Sequence, residues 1–173
     1  MTEFRVTVFG AGSRMMRDER VGIAVLDELA RRPLPHGVRL RETGTDGYGL
    51  VTDLDDTDAA IIVDCAQMGK EPGTVLVFSP EEAESTMLDH RVSLHSIDLL
   101  GVVRLAQQLG ARASIRIVGI EPEVVDFGDE LSGTVAAAVP RAVALVEREV
   151  AAALAAMPDA KRQMPEQESG ESQ

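Results

Sequence analysis

Apolar and polar residues alternate along this chain in blocks that predict strands and helices in turn. Arg5 to Phe9 is predicted as a buried strand, and Val21 to Leu29 carries apolar residues at the spacing of one helix face. A short strand over Val38 to Arg41 follows, and then a continuous apolar run over Ala59 to Val63. The unbroken apolar character of this run predicts a central strand that is covered on both faces and ends at Asp64.

The second half of the chain continues the alternation. Thr74 to Phe78 is a β-rich run, and residues 79–82 (SPEE) place a serine, a proline and a glutamate where a short helix should begin. Ser114 to Ile120 is the last predicted strand. Thr134 to Met157 is predicted as a long helix rich in Ala and Val, in which Pro140 should produce a kink or mark the effective start.

A further helix is predicted from about Leu94 to Leu109, with Gly110 as its stop signal. His95 falls in its first turn, where the helix dipole disfavours the imidazolium form and favours a neutral imidazole. Four apolar residues of this segment are expected to face the core: Ile97, Leu100, Val103 and Leu105.

Strands that alternate with helices predict an α/β fold. We expect a three-layer sandwich, in which a twisted, mostly parallel sheet of about five strands carries helices on both faces. Residues 1–158 are predicted to form a single domain, and residues 159–173 a polar, disordered tail. Ligands of such folds bind outside the carboxyl ends of the strands, which directs attention to the loops after Phe9, Glu42 and Val63.

Composition and charge narrow the classes of function. Apolar residues make up 45% and charged residues 27% of the chain, as in ordinary globular proteins. The net charge of -12 and the low aromatic content of 3% disfavour nucleic acid, which requires a basic footprint and stacking side chains. No apolar stretch approaches the roughly 18 residues of a membrane span.

Cellular context is also indicated by what the sequence contains. Cys65 is the single cysteine, so no internal disulfide can form, and the first residues lack the features of a signal peptide. We therefore expect a cytoplasmic protein that binds neither nucleic acid nor a membrane. We also expect a monomer, since no apolar helix is evident beyond those that the core needs.

A glycine-rich run, GAGSRM at residues 10–15, follows the first strand as a nucleotide-binding loop would. Met15, however, occupies the position where a dinucleotide fingerprint needs its third glycine, although Glu42 could stand for the acidic residue that binds the ribose. Asp18 and Glu19 at the start of the next helix would repel a phosphate. A nucleotide-binding domain is therefore a disfavoured hypothesis.

Carboxylates and a histidine from three separate segments form another candidate site. Asp18 and Glu19 can be explained simply as acidic residues that stabilise a helix start. Asp64 follows the most apolar strand, where a carboxylate is costly unless it is paired, hydrogen-bonded or bound to a cation. His95 is a ligand or else a capping or surface residue. Glu19, Asp64 and His95 together would offer oxygen and nitrogen ligands with open positions, which suits nickel, zinc or a similar divalent ion.

Four segments carry a specific resemblance. The runs GAGSRMMRDERVG, GTDG, IIVDCA and SLHSIDL occur in the order and approximate spacing of the [NiFe] hydrogenase maturation endopeptidases, which the chain resembles. These are the processing proteases of hydrogenase large subunits. The likeness extends from about Val6 to the long C-terminal helix. It implies an endopeptidase that removes a C-terminal extension from a hydrogenase large-subunit precursor once nickel has been inserted.

The resemblance also implies roles for individual residues. The metal would be the nickel of the precursor, recognised by the protease, and zinc or cadmium could occupy the same position. The implied metal ligands are Glu19, Asp64 and His95, the implied catalytic residues are Asp64 and Glu19, and the implied substrate-binding loops contain Gly12, Ser13, Gly44 and Thr45.

Departures from the family pattern leave a second hypothesis open. Ser13 stands where the family usually has asparagine, and Arg20 where it commonly has glycine. A metal-dependent recognition protein of the same fold, without peptidase activity, would also fit. Cys65 adjoins Asp64, but it follows an apolar strand and has no histidine partner nearby in sequence, so we predict a small core thiol and not a nucleophile.

Overall fold

The computed structural model describes residues 5–43, 48–87, 93–94 and 99–157. The strands are β1 (Val6–Gly10), β2 (Val38–Glu42), β3 (Ala59–Gln67), β4 (Val75–Phe78), β5 (Ser93–Leu94) and β6 (Ser114–Ile120). The helices are α1 (Val21–Leu29), α2 (Tyr48–Asp55), α3 (Pro80–Met87), α4 (Leu99–Gln108) and α5 (Gly133–Ala155). A 3-10 turn over Arg17–Arg20 leads directly into α1. The predicted tail lies outside the described residues.

The strands form one sheet in the order β2-β1-β3-β6-β4, and β5 pairs with the end of β3. Strands β2, β1, β3 and β6 run parallel, whereas β4 is antiparallel to β6 and β5 is antiparallel to β3. The predicted α/β fold with a mostly parallel sheet is confirmed. The chain leaves β1 toward β2 on one side, and β3 lies on the other side, so the carboxyl ends of β1 and β3 flank the crevice where such folds bind ligands.

Helices cover both faces of the sheet, because alternate residues of the buried strands are apolar on both sides. Helices α1 and α5 pack on the face that carries Val8, Ile61 and Val118. Helices α2 and α4 pack on the opposite face, which carries Ile62 and Ile117. The three layers are therefore those that the sequence pattern predicts. No helix in the described part of the chain is long and apolar enough to span a membrane.

Strand β3 is longer than predicted. It continues beyond Asp64 to Gln67, since Asp64 still pairs with Gly119 of β6 and the following Cys65 and Ala66 are buried. Asp64 therefore lies within a hydrogen-bonded strand and not in the loop after it. Its backbone is held more firmly than a loop position would be.

Helix boundaries also differ from the prediction. The run GTDGYG at residues 44–49 predicts a tight loop, yet α2 begins at Tyr48 within this run. Helix α4 begins at Leu99 in the structure, and Ile97 and His95 lie outside the described residues. Leu105, expected to face the core, is 41% exposed. It lies two positions after the buried Val103, which turns it about 200° around the helix axis.

Two features of the predicted helix starts can be compared directly with the structure. The cap at α3 is confirmed: Ser79 N–H donates to Glu82 Oε2 at 2.6 Å, and Glu82 N–H donates to Ser79 Oγ at 3.2 Å. Helix α5 begins at Gly133, so Pro140 lies inside the helix and does not mark its start. The helix continues past this proline because its apolar face is buried against the sheet.

The first turn of α1 lies against the sheet more closely than a side chain would allow. A Cβ atom on Gly22 would lie 2.4 Å from the carbonyl oxygens of both Ala11 and Val63. A Cβ atom on Gly10 would lie 2.7 Å from the Gly22 carbonyl oxygen. This backbone packing holds the start of α1, and the 3-10 turn before it, beside the ends of β1 and β3.

Replacing Gly22 by alanine should lower the free energy of unfolding by about 1–3 kcal/mol or more, because the methyl group would force apart backbone atoms that cannot rotate away. Gly49→Ala in α2 is the matched control, since nothing lies within 4 Å of the place that its Cβ atom would take. That variant should be neutral or more stable by up to about 0.5–1 kcal/mol. Denaturant unfolding of both variants measures the difference; equal midpoints would contradict the proposed close packing.

Candidate active site

The loop from β1 to α1 is shaped by one glycine. Gly12 has a φ of 124°, and a Cβ atom there would lie 1.8 Å from the Glu19 carbonyl oxygen. Ala11 N–H donates to the Val63 carbonyl at 2.8 Å, which ties the loop to β3. The turn that carries Asp18 and Glu19 therefore folds back over the start of its own loop and lies next to β3.

Asp64 enters the same region from β3. Its residue is 1% exposed, and its neighbour Val63 pairs with Gly10 at the end of β1. Glu19 is 9% exposed. The sheet and the 3-10 turn thus bring two buried carboxylates of distant sequence position, Glu19 and Asp64, to the crevice between β1 and β3.

Asp18 has a different role from the one that its helix-start position suggested. Its carboxylate accepts hydrogen bonds from Glu123 N–H at 2.9 Å and Val124 N–H at 2.8 Å. It also accepts from Ser132 N–H at 2.7 Å and Ser132 Oγ–H at 2.9 Å. Asp18 and Glu19 lie in the 3-10 turn and not in α1, so the simple helix-dipole explanation is wrong for Asp18: it fastens the loop between β6 and α5.

Glu19, the next residue, is also buried, but it is bonded differently. Its backbone N–H donates to the Met16 carbonyl at 2.8 Å. Among the described residues, no donor makes a hydrogen bond or ion pair to its carboxylate. A buried carboxylate without a donor is costly, and a cation or a proton removes that cost. Of the two adjacent acidic residues, Asp18 thus anchors a loop, and Glu19 offers an available carboxylate.

The pKa of the Cys65 thiol is affected by the negative charge of this region. Burial raises the pKa of its thiol well above the usual range, and the charges of Asp64, Glu19, Asp18 and Glu121 raise it further. All four carboxylates are therefore close enough to act on one thiol. Cys65 is 1% exposed and stays protonated at neutral pH, which agrees with its prediction as a core thiol and gives a nucleophilic role no support.

Glu121 fastens a second loop beside the crevice, a role that was not predicted. Its Oε2 accepts from Met68 N–H at 2.7 Å and from Lys70 N–H at 3.1 Å. Glu121 is 7% exposed and directly follows β6. Asp64 lies in β3, the strand that pairs with β6. The sequence feature that could have indicated this role is the position of a carboxylate directly after a buried strand.

The other predicted site residues divide between described and undescribed parts of the chain. Gly12 has the backbone role given above, and Ser13 Oγ accepts from Met15 N–H at 3.4 Å, so both lie in the loop beside Glu19. His95, Gly44 and Thr45 lie outside the described residues. Within the described ranges no three His, Cys, Asp or Glu side chains group as a metal site. Glu19 and Asp64 are the two described members of the predicted set of ligands.

Comparison with protein families decides the class of this protein. The family model described as hydrogenase maturation protease matches residues 23–149. The chain belongs to the hydrogenase maturation protease family. The predicted relationship is thus confirmed, and the protein is an enzyme that cleaves peptide bonds.

Individual relatives agree with this assignment. The chain is 32% identical over 151 residues to the hydrogenase expression/formation protein HupD of Rhodobacter capsulatus, covering 86% of this chain and 72% of HupD. It is 29% identical over 142 residues to the hydrogenase 2 maturation protease of Escherichia coli, covering 80% and 86% of the two chains. The solved structure of the E. coli hydrogenase maturating endopeptidase HybD superposes with a TM-score of 0.75 at 27% identity, covering 86% of this chain and 93% of HybD.

Arg20, which stands where the hydrogenase maturation proteases commonly have glycine, makes a specific contact in this protein. The guanidinium of Arg20 donates from Nη1 to the Asp129 carbonyl oxygen, in the loop that Asp18 also binds. Its side chain therefore lies along the neighbouring loop. Arg20 adds a further connection between the same two segments that Asp18 joins.

Removal of the Asp18 carboxylate tests its anchoring role. Asp18→Ala should lower the free energy of unfolding by about 2–4 kcal/mol, because the N–H groups of Glu123, Val124 and Ser132 lose a charged acceptor. Asp27→Ala, which removes an exposed carboxylate on α1, should change it by less than about 1 kcal/mol. Urea unfolding of both variants makes the comparison, and an equal effect would show that Asp18 is not an anchor.

The state of Cys65 can be tested with a thiol reagent. At pH 8 the folded protease should react with iodoacetamide far more slowly than the protein in guanidinium chloride, because the buried thiol has a raised pKa and few thiolates form. Cys65→Ala should preserve peptidase activity, which a processing assay measures. Rapid alkylation of the native protein together with loss of activity in this variant would make Cys65 a reactive residue.

Proposed function

We propose that this protease removes the C-terminal extension of a hydrogenase large-subunit precursor after nickel has been inserted, and that Glu19, Asp64 and His95 bind the nickel of that precursor. Membership of the hydrogenase maturation proteases supports the general activity. The observation that carries the finer proposal is the Glu19 carboxylate, which is 9% exposed and receives no hydrogen bond from the described residues.

The donor set fits this cargo. Two carboxylates and one imidazole offer oxygen and nitrogen ligands, which suit nickel, and zinc or cadmium could be accepted by the same groups. Three protein ligands also leave coordination positions for ligands that the precursor itself supplies. Only a precursor loaded with metal would then complete the set, which makes metal insertion a condition for productive binding.

The negative charge of the crevice favours the same partner. Asp18 and Glu121 keep their carboxylates on backbone N–H groups, whereas Glu19 is available. A divalent cation carried by the substrate would relieve the cost of confining Glu19 and Asp64 together. Part of the binding energy would therefore come from relieving the cost of the buried Glu19 and Asp64 carboxylates in the free protease.

Hydrolysis requires a proton acceptor for the attacking water and a proton donor for the leaving amine. In this proposal Asp64 and Glu19 exchange these protons, and either of them could also hold the metal of the substrate. The rigidity of β3 keeps Asp64 in position, and the Gly12 turn keeps Glu19 beside it. The bound nickel would supply electrostatic stabilisation to the reacting peptide.

A processing assay tests the proposal. Purified protease is mixed with nickel-loaded or nickel-free large-subunit precursor from the same organism, and loss of the C-terminal peptide is followed by intact mass. The wild type should cleave only the loaded form. Glu19→Gln, Asp64→Asn and His95→Ala should each reduce cleavage by about a hundredfold or more, because each removes a ligand or proton-transfer group.

Glu28→Gln provides a matched control, since it neutralises an exposed carboxylate of α1 whose ion-pair partner is Arg31 and not a residue of the loop after β1, and it should process normally. Cleavage of nickel-free precursor at the same rate would overturn the nickel-dependent proposal. Normal processing by all three site variants would overturn the assignment of the site. Binding of loaded precursor without cleavage by the wild type would favour the recognition protein without peptidase activity.

A further inference from the structure

Two large apolar side chains stand exposed beside the crevice. Met15 is 51% exposed in the loop after β1, and Phe127 is 71% exposed in the loop after β6. Gly128 N–H donates to the Met15 carbonyl at 2.9 Å, and Arg17 N–H donates to the Gly128 carbonyl at 2.9 Å. The two loops thus form one surface, which we call the Met15–Phe127 patch.

The patch is held in place by the packing beneath it. A Cβ atom on Gly128 would lie 2.9 Å from Arg17 Cγ, so the Arg17 side chain covers the Gly128 backbone. Asp126 Oδ1 accepts from Phe127 N–H at 2.7 Å, and the Asp18 carboxylate anchors the same loop from below. Phe127 is therefore presented to solvent by a braced turn. The chain contains 4 phenylalanines, and leaving one of them in water forgoes the stabilisation that burial would give.

The loop that carries Phe127 is also rich in acidic residues. Four residues of the loop after β6 are exposed and negatively charged: Glu123, Asp126, Asp129 and Glu130. Among the nearby basic side chains, Arg14 forms ion pairs with Asp27 and Glu42, and Arg17 lies over the Gly128 backbone, so the four carboxylates outnumber the basic groups that have no ion pair among the described residues. The guanidinium of Arg20 donates to the Asp129 carbonyl. The patch consequently offers an apolar contact within a negative rim.

The patch is continuous with the candidate active site. Met16 pairs with Gly128 across the two loops, and its carbonyl accepts from Glu19 N–H at 2.8 Å. A protein chain bound at Glu19 would therefore pass within reach of Met15 and Phe127. Exposed apolar groups with a polar rim are typical of protein-binding surfaces.

We infer that the Met15–Phe127 patch docks the large-subunit precursor through a segment in which an apolar side chain is flanked by Lys or Arg. This inference rests on the proposed function, because the precursor is its occupant. The aromatic ring supplies the apolar contact, and the acidic rim attracts the basic flanks. Docking here adds affinity for the polypeptide to the affinity of the crevice for its metal.

Steady-state processing of nickel-loaded precursor tests the apolar contact. Phe127→Ala should raise KM about tenfold with a smaller effect on kcat, because the side chain contacts the partner away from the reacting bond. Leu109→Ala is the matched control: Leu109 is 69% exposed but precedes β6, whereas Phe127 follows it, so the two residues belong to opposite ends of that strand. Its KM should equal that of the wild type.

The acidic rim is tested by neutralisation. The double variant Glu123→Gln with Glu130→Gln should raise KM about three- to tenfold at low ionic strength, and the difference should shrink in about 0.5 M salt because exposed charges are screened. Asp55→Asn with Glu147→Gln removes the same charge at positions in α2 and α5, away from the patch, and should leave KM unchanged. Equal effects of the two double variants on KM would show that overall surface charge, and not the acidic rim of the patch, attracts the precursor.

A binding measurement separates failure of this inference from failure of the proposed function. If the wild type cleaves loaded precursor and Phe127→Ala shows an unchanged KM, the patch is not the docking surface. If the wild type binds the precursor without cutting it, the peptidase proposal fails, and weaker binding by Phe127→Ala still supports the patch. If the wild type neither binds nor cuts the precursor, both are wrong.

Discussion

The backbone contact of Gly22 with the carbonyls of Ala11 and Val63 is the constraint on which the crevice depends. It brings the start of α1 against two parallel strands at once, and it thereby also positions the 3-10 turn that precedes the helix. Glu19 reaches β3 because no side chain intervenes at this contact. Gly10, which belongs to the run that resembles a nucleotide-binding loop, packs against the Gly22 carbonyl and so serves the packing of a helix, whereas the chemistry of the crevice comes from carboxylates.

The neighbouring residues Asp18 and Glu19 illustrate how a buried acidic pair is tolerated. Asp18 is satisfied by backbone and hydroxyl donors and contributes structure. Glu19 receives no comparable donors from the described residues and remains available for an external cation. Since hydrogen-bonded charges stabilise and unpartnered ones do not, the anchoring residue offsets part of the cost of keeping a functional carboxylate beside it.

Much of this organisation could be predicted from sequence, for identifiable reasons. The predicted strand Arg5–Phe9 is mostly apolar and the run Ala59–Val63 is entirely so, and strands and fold class follow from such segments. The family motif singled out Glu19 and Asp64. The link from Asp18 to Ser132 could not be predicted, because no local pattern records which distant N–H groups a carboxylate will meet. The exposure of Leu105 was missed because two residues of separation suit a strand and not a helix face. The extension of β3 past Asp64 depends on pairing with Gly119, which is also nonlocal.

The same Asp18 hydrogen bonds have a consequence for the order in which the molecule is assembled. Their donors lie 105 to 114 positions further along the chain. Closing so long a loop becomes favourable only when the strands between have paired and brought its ends together. During synthesis, the turn that carries Glu19 must therefore wait for the segment through Ser132 to emerge. A nascent chain has Asp18 and Glu19 early, but it acquires the arrangement of a protease only after Ser132 has been synthesised.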